Sequence, residues 1–117
     1  MARILVVDDE PSVLAFALAA LSRMHSVRTL LVSGEPDVSR CASMALEEPP
    51  DVLLTDHGMP LDPLAIVRCV RSCSPHVRVV LFTASILAPE ELARIGADAL
   101  LGKPCTVKEL RSAVAAG

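Results

Sequence analysis

Apolar and polar positions alternate in blocks along this chain, five times over. Short apolar runs of strand length, most ending on a polar residue, precede stretches whose apolar residues recur every three or four positions. Residues 4–7 are predicted as the first strand. Pro11 suits the first turn of a helix, where its missing N–H would have no partner anyway. Leu14, Leu18 and Leu21 then recur at helical spacing, on the face expected against a sheet. Residues 27–32 form a weaker second strand, interrupted by Arg28 and Thr29. Gly34 marks a turn and Pro36 opens a second helix, expected to bury Val38, Cys41, Ala42 and Ala45. Pro49-Pro50 stops it, because proline can neither donate to the helix ladder nor fit its interior.

Residues 52–55 are the third strand, apolar enough to be covered on both faces. A helix around residues 64–72 turns Ile66, Val67 and Val70 inward, and residues 77–82 make the fourth strand. Pro89-Glu90-Glu91 opens a short fourth helix, with its acids at the positive end of the dipole, and Gly96 ends it. Residues 99–101 are the fifth strand. Thr106 then caps a last helix running to Ala116, with Glu109 as its capping-box partner. A βα unit repeated five times specifies an α/β fold: a parallel sheet, right-handed crossovers and helices on both faces. The 117 residues suit one domain, 1–117, with one core and no linker or repeat. The chain stops after the fifth helix, so no output domain is expected within it.

Composition narrows the functions. Hydrophobic residues make up 52%, which favours a folded domain over a disordered one. Phe16 and Phe82 are the only aromatics, so the core is aliphatic and platforms for stacking bases are lacking. The net charge of -3 offers no basic footprint for nucleic acid. The apolar helical run at residues 13–21 is too short to span a bilayer. Asp8, Asp9 and Glu10 interrupt the N-terminal apolar stretch, unlike a signal peptide. Cys41, Cys69, Cys73 and Cys105 form no zinc-like C-x-x-C pairs and read as reduced thiols of a cytoplasmic protein. Cys69 and Cys73, four apart on a helix, read as small buried hydrophobes.

The sharpest signal is where polar residues end apolar runs. Asp8-Asp9 follows the first strand, Asp56 the third, Thr83 the fourth and Lys103-Pro104 the fifth. In an open parallel sheet these carboxyl ends converge on one crevice. Three carboxylates there need a counter-charge, since a like pair at about 4 Å costs roughly 4 kcal/mol at an effective dielectric of about 20. Magnesium prefers such a donor set, completed by water and phosphate, and Lys103 adds a second positive charge. A carboxylate beside both is a nucleophile toward phosphorus. Phosphoryl transfer then needs mostly positioning and charge neutralisation, which the Thr83 hydroxyl and backbone N–H groups can share.

The stretches Ile4-Leu5-Val6-Val7-Asp8-Asp9-Glu10-Pro11, Asp56-His57-Gly58-Met59-Pro60, Phe82-Thr83-Ala84, Gly96-Ala97-Asp98 and Gly102-Lys103-Pro104 carry a resemblance. Together, in this order and over the whole chain, they resemble the receiver domain of two-component response regulators. The resemblance implies a doubly wound, flavodoxin-like (βα)5 fold with strand order 2-1-3-4-5. It implies that Asp56 accepts a phosphoryl group from the phosphohistidine of a sensor histidine kinase or phosphotransfer protein. Asp9 would bind Mg2+ directly, Asp8 largely through water, and Asp56 and the Gly58 carbonyl would complete the set. Thr83 would hydrogen-bond the phosphoryl oxygen, and Lys103 would pair with that group or with Asp56. Pro104 matches a position that follows a cis peptide. The protein would be a cytoplasmic phosphoprotein that catalyses only its own phosphorylation and dephosphorylation and turns over no external substrate.

Its partners would be that kinase and a downstream protein target or output domain, with no direct nucleic-acid or membrane contact. The family often uses the face of the fourth helix, fifth strand and fifth helix, where Lys108 and Arg111 lie. Departures from the family pattern accompany the match. Leu100 stands where the family has an aromatic switch residue, and Cys105 where it commonly has Phe. The Leu61-Asp62-Pro63 turn is short, and so is the segment from Thr83 to Gly96, which implies a trimmed or loose fourth helix. Gly58 and Ser85 are small at positions that tune phosphoaspartate hydrolysis in the family. His57 is expected as an exposed loop side chain. Ala15, Ala19 and Ala20 leave the first helix apolar, read as good packing with a homodimer face as the alternative.

Two other functional readings compete. A receiver-fold interaction module that signals without phosphorylation is favoured by Leu100. An aspartyl-phosphate phosphatase would need a second acid where Gly58 stands.

Overall fold

The computed structural model of the protein describes residues 1–115. Its elements run β1 (Arg3–Asp8), α1 (Pro11–Leu21), β2 (Ser26–Leu31), α2 (Asp37–Glu47), β3 (Val52–Asp56), α3 (Pro63–Cys73), β4 (Arg78–Thr83), α4 (Pro89–Ile95), β5 (Ala99–Gly102) and α5 (Val107–Ala115). The five strands form one parallel sheet in the order β2-β1-β3-β4-β5. The expected alternation of elements and strand order is therefore what the chain adopts. Ala116, the expected end of the last helix, lies outside the described residues.

Side chains alternate across each strand and divide the core in two. Leu5, Val7, Leu53, Val79 and Leu81 face α2, α3 and α4. Ile4, Val6, Leu54, Val80 and Phe82 face α1 and α5. Every residue of β3 is buried, as a central parallel strand requires. Burying a leucine contributes about 1.5–3 kcal/mol, so β1, β3 and β4 form the stable centre on which the strand ends stand.

Helix ends follow the chain's punctuation. Pro11, Pro63 and Pro89 open α1, α3 and α4. Thr106 and Glu109 form the expected reciprocal box: Glu109 N–H donates to Thr106 Oγ1 at 3.0 Å, and Thr106 N–H to Glu109 Oε1 at 2.9 Å. Gly96 closes α4 at φ 80°, a left-handed geometry that suits glycine.

Several positions depart from expectation. Leu18 is 43% exposed, because α1 turns Ala17 and Ala20 to the sheet along with Leu14 and Leu21. That arc is centred near Ala17 and Leu21, about a quarter turn away from Leu18. Val38 and Ala42 are only half-buried on α2. Arg28 weakens β2 as a sequence pattern but has a structural task on this edge strand. Its guanidinium donates to the carbonyls of Met44, at 2.6 Å, and Glu48, at the end of α2. Arg111 does the same for α1, donating to the Ala20 carbonyl at 2.8 Å. Arg111 is thus half-buried, with its Nε engaged within the fold. Cys41 is fully buried and Cys69 and Cys73 half-buried, close to the small-hydrophobe reading. Burial pushes the Cys41 thiol up to about 12.

Candidate functional site

Parallel register brings the polar strand ends together. Val7 lies beside Thr55, and Asp56 beside Phe82, so Asp8 and Asp56 leave neighbouring strands at the same rim. Thr83 pairs with Gly102, and Lys103 N–H donates to the Thr83 carbonyl at 2.9 Å. The next peptide, Lys103-Pro104, is cis.

Lys103 is the hub of this rim. Its Nζ lies 2.8 Å from Asp8 Oδ2, 3.3 Å from Asp56 Oδ1 and 3.9 Å from Glu10 Oε1. The same ammonium stands 5.2 Å from the centre of the Phe82 ring. Burial opposes the ammonium charge, but the hydrogen bond to Asp8 and the charge of Asp56 outweigh it and raise Lys103 above its ordinary value. Asp8, Asp56 and Thr83 are all buried, so these charges meet where water screens them little.

The remaining hydrogen bonds orient the acids and leave reactive positions open. Asp8 Oδ1 accepts from Glu10 N–H at 3.0 Å. Asp56 Oδ1 accepts from His57 N–H at 2.8 Å. Thr83 Oγ1 accepts from Ser85 N–H at 3.1 Å, which fixes the hydroxyl oxygen while its own proton can still be donated outward. Gly58 and Ser85 are exposed, and nothing lies within 4 Å of where a Gly58 side chain would begin.

The donor set fits a hard divalent cation. Carboxylate oxygens of Asp8, Asp9 and Glu10 lie within 4.8 Å of one another, with no nitrogen or sulfur ligand in the group. Asp9 shows the strain of that crowding. Burial, a hydrogen bond with Asp8 and the charge of Asp56 together hold its carboxyl above the ordinary range. Glu10 belongs to this cluster although sequence reasoning did not single it out. The acidic run Asp8-Asp9-Glu10 was the available signal. Asp56 stands outside that tight group but within reach of Lys103.

His57 corrects the expectation of an exposed loop side chain. Its side chain is half-buried, and Nε2 lies 2.8 Å from Glu91 Oε2 on α4. Hydrogen bonds from Arg94 and His57 hold the Glu91 carboxyl down at about 2, so it is ionised and Nε2–H is the donor. Arg94 in turn grips Asp62 as a fork, at 2.9 and 3.1 Å. Asp62 also caps α3, accepting from Leu64 N–H at 3.0 Å. The short turn at Leu61-Asp62-Pro63 is thus remodelled into a cap and an ion-pair anchor.

Beside the crevice lies a cavity of about 450 Å³ lined by Val13, Phe16, Phe82, Lys103, Pro104 and Cys105. Among the described residues, no helix is long and apolar enough to cross a membrane.

Comparison with known proteins agrees with this geometry. The family model described as the response regulator receiver domain matches residues 4–115. No individually curated protein matches the chain significantly. Among solved structures, the chain is similar to chemotaxis protein CheY4 of Vibrio cholerae, with 26% identity and a TM-score of 0.79 over 96% of this chain and 94% of that one. It is similar to the signal receiver domain of NarL from Mycobacterium tuberculosis, with 28% identity and a TM-score of 0.76 over 97% and 93% of the two chains. The BeF3-activated receiver domain of DrrB is 26% identical, with a TM-score of 0.77 over 98% and 95%.

Proposed function

The chain belongs to the response regulator receiver family, and from that premise we propose that it is a phospho-accepting signalling module with Asp56 as the acceptor. The observation that carries this is the meeting of Lys103 Nζ with both Asp8 and Asp56 at one buried rim, beside the Thr83 hydroxyl. An Asp56 carboxylate oxygen attacks phosphorus. The bond from phosphorus to the donor's imidazole nitrogen breaks, and its electron pair leaves with the imidazole of a histidine kinase or phosphotransfer protein. Lys103 neutralises charge on the incoming phosphoryl oxygens, and Thr83 donates its hydroxyl proton to one of them. The His57 backbone N–H keeps the Asp56 carboxylate oriented. Asp8, Asp9 and Asp56, with the Gly58 carbonyl, would hold Mg2+, and Glu10 faces the same cluster. Bound there, Mg2+ supplies the charge neutralisation that phosphoryl oxygens need.

The protein turns over no external substrate on this reading. Its output passes through a protein partner or output domain, and four free thiols suit a cytosolic setting. Incubation with Mg2+ and a small acyl phosphate, followed by intact mass, tests it. One phosphoryl group gained by the wild type and lost in Asp56→Asn supports the acceptor role. No gain in the wild type would favour a module that signals without phosphorylation.

A further inference from the structure

Leu100 lies on the outer side of β5 and is 44% exposed, with no polar tip to follow a charge at Asp56. A different path leaves the acceptor. Asp56 Oδ1 accepts from His57 N–H at 2.8 Å. The His57 ring donates to Glu91 at 2.8 Å. Glu91 is held by Arg94 at 2.7 and 3.0 Å, and Arg94 by Asp62 at 2.9 and 3.1 Å. Five residues from the end of β3, the start of α3 and the body of α4 thus form one unbroken polar chain.

The attachment of α4 makes that chain consequential. The helix has seven residues, and only Ile95 is fully buried, with Leu92 packed partly against the core. In the segment leading into it, Leu87 packs partly against the core, while Ala84, Ser85, Ile86 and Ala88 are exposed and Ile86 touches almost nothing. So short a helix is not stable by itself. Besides the apolar contacts of Leu87 and Leu92, its first turn is tied by the polar contact of Glu91 to His57, which is the immediate neighbour of Asp56.

The geometry points to the His57–Glu91–Arg94–Asp62 chain as the device that couples the state of Asp56 to the docking of α4. This rests on the acceptor reading above. Phosphorylation removes the negative charge of the Asp56 carboxylate and sets new charge farther out, on the phosphoryl oxygens. The carboxylate becomes an ester carbonyl, a weaker acceptor for the His57 N–H, which is drawn instead toward the outlying charge. A hydrogen bond of 2.8 Å tolerates little displacement before it weakens. Moving His57 therefore loosens Glu91 and, with it, the first turn of α4. His57 acts here as a positioning residue: its side chain touches α4, not the reacting atoms.

Pulse-labelling amide hydrogen exchange over residues 88–96 tests the coupling. It is read before and after treatment with Mg2+ and a small acyl phosphate, with uptake confirmed by intact mass. In the wild type, α4 amides are expected to exchange at least about threefold faster after phosphorylation, as local opening becomes easier. In Glu91→Ala, whose side chain takes no part in binding or transfer, uptake should persist, exchange should already be fast, and treatment should change it less than about 1.5-fold. A merely structural tether would raise the starting rate and leave the response to phosphorylation intact. That result, or a wild type that takes up the phosphoryl group with no change in α4, would overturn the coupling alone. A wild type that takes up no phosphoryl group would overturn the acceptor reading and the coupling together.

Discussion

β3 is buried along its whole length, and β1 and β4 are buried at every residue but their first, whereas only Leu101 of the four residues of β5 is buried. The helices differ in the same way. α3 sets Pro63, Ile66, Val67 and Val70 into the core, while α4 sets in Ile95, packs Leu92 partly and otherwise leans on ion pairs. The two regions meet at Asp56 and Lys103. Apolar packing fixes the side of the crevice that holds the chemistry. Breakable polar contacts hold the side that would report on it. A charge change of one or two units cannot rearrange a close-packed centre, but it can reset a hydrogen bond to a short exposed helix.

The largest effect should come from breaking the centre. Leu53→Ala empties a fully buried position of β3 and is expected to cost about 2–5 kcal/mol in urea unfolding. Leu100→Ala on β5 should stay within about 0.5 kcal/mol. Equal costs at the two sites would erase the contrast.

Next in size is Lys103→Ala. It leaves Asp8 and Asp56 without their ammonium and is expected to cost about 1–3 kcal/mol near neutral pH in the absence of metal. Added Mg2+ should raise the melting temperature of the variant more than that of the wild type, since cation and lysine neutralise the same acids. The sign with pH follows from Lys103 being raised above its ordinary value of 10.5. Its contribution is full below 10.5 and is lost as pH climbs through the higher folded value.

The smallest effect should be Glu91→Gln, on the polar side. Glu91 is depressed from 4.5 to about 2, so its ion pairs contribute fully above 4.5 and fade as pH falls through about 2. Wild type and variant should differ slightly at neutral pH, and their unfolding curves should converge toward pH 2. A gap that widens with acid would reverse the sign and contradict the role given to Glu91.

The parts that could be read from the sequence are those set by local pattern. Strand ends, proline-opened helices, the Thr106–Glu109 box and the order of elements depend on neighbours a few positions apart. The rim residues Asp8, Asp56, Thr83 and Lys103 could be read because parallel topology converts strand-end position into proximity. What remained hidden depends on partners distant in the chain. His57 finds Glu91 34 positions on, and Arg111 finds the Ala20 carbonyl 91 positions back. Neither contact leaves a periodic trace. Leu18 was misplaced for a related reason: α1 is apolar all round, so spacing alone cannot say which arc meets the sheet.

The most direct test of the central claim is peptide mapping after treatment with Mg2+ and a small acyl phosphate. The account predicts one hydroxylamine-labile phosphoryl group on the peptide carrying Asp56, absent when a chelator removes the metal. A hydroxylamine-resistant phosphoryl group on Thr83 or Ser85, or none anywhere in the wild type, would contradict it.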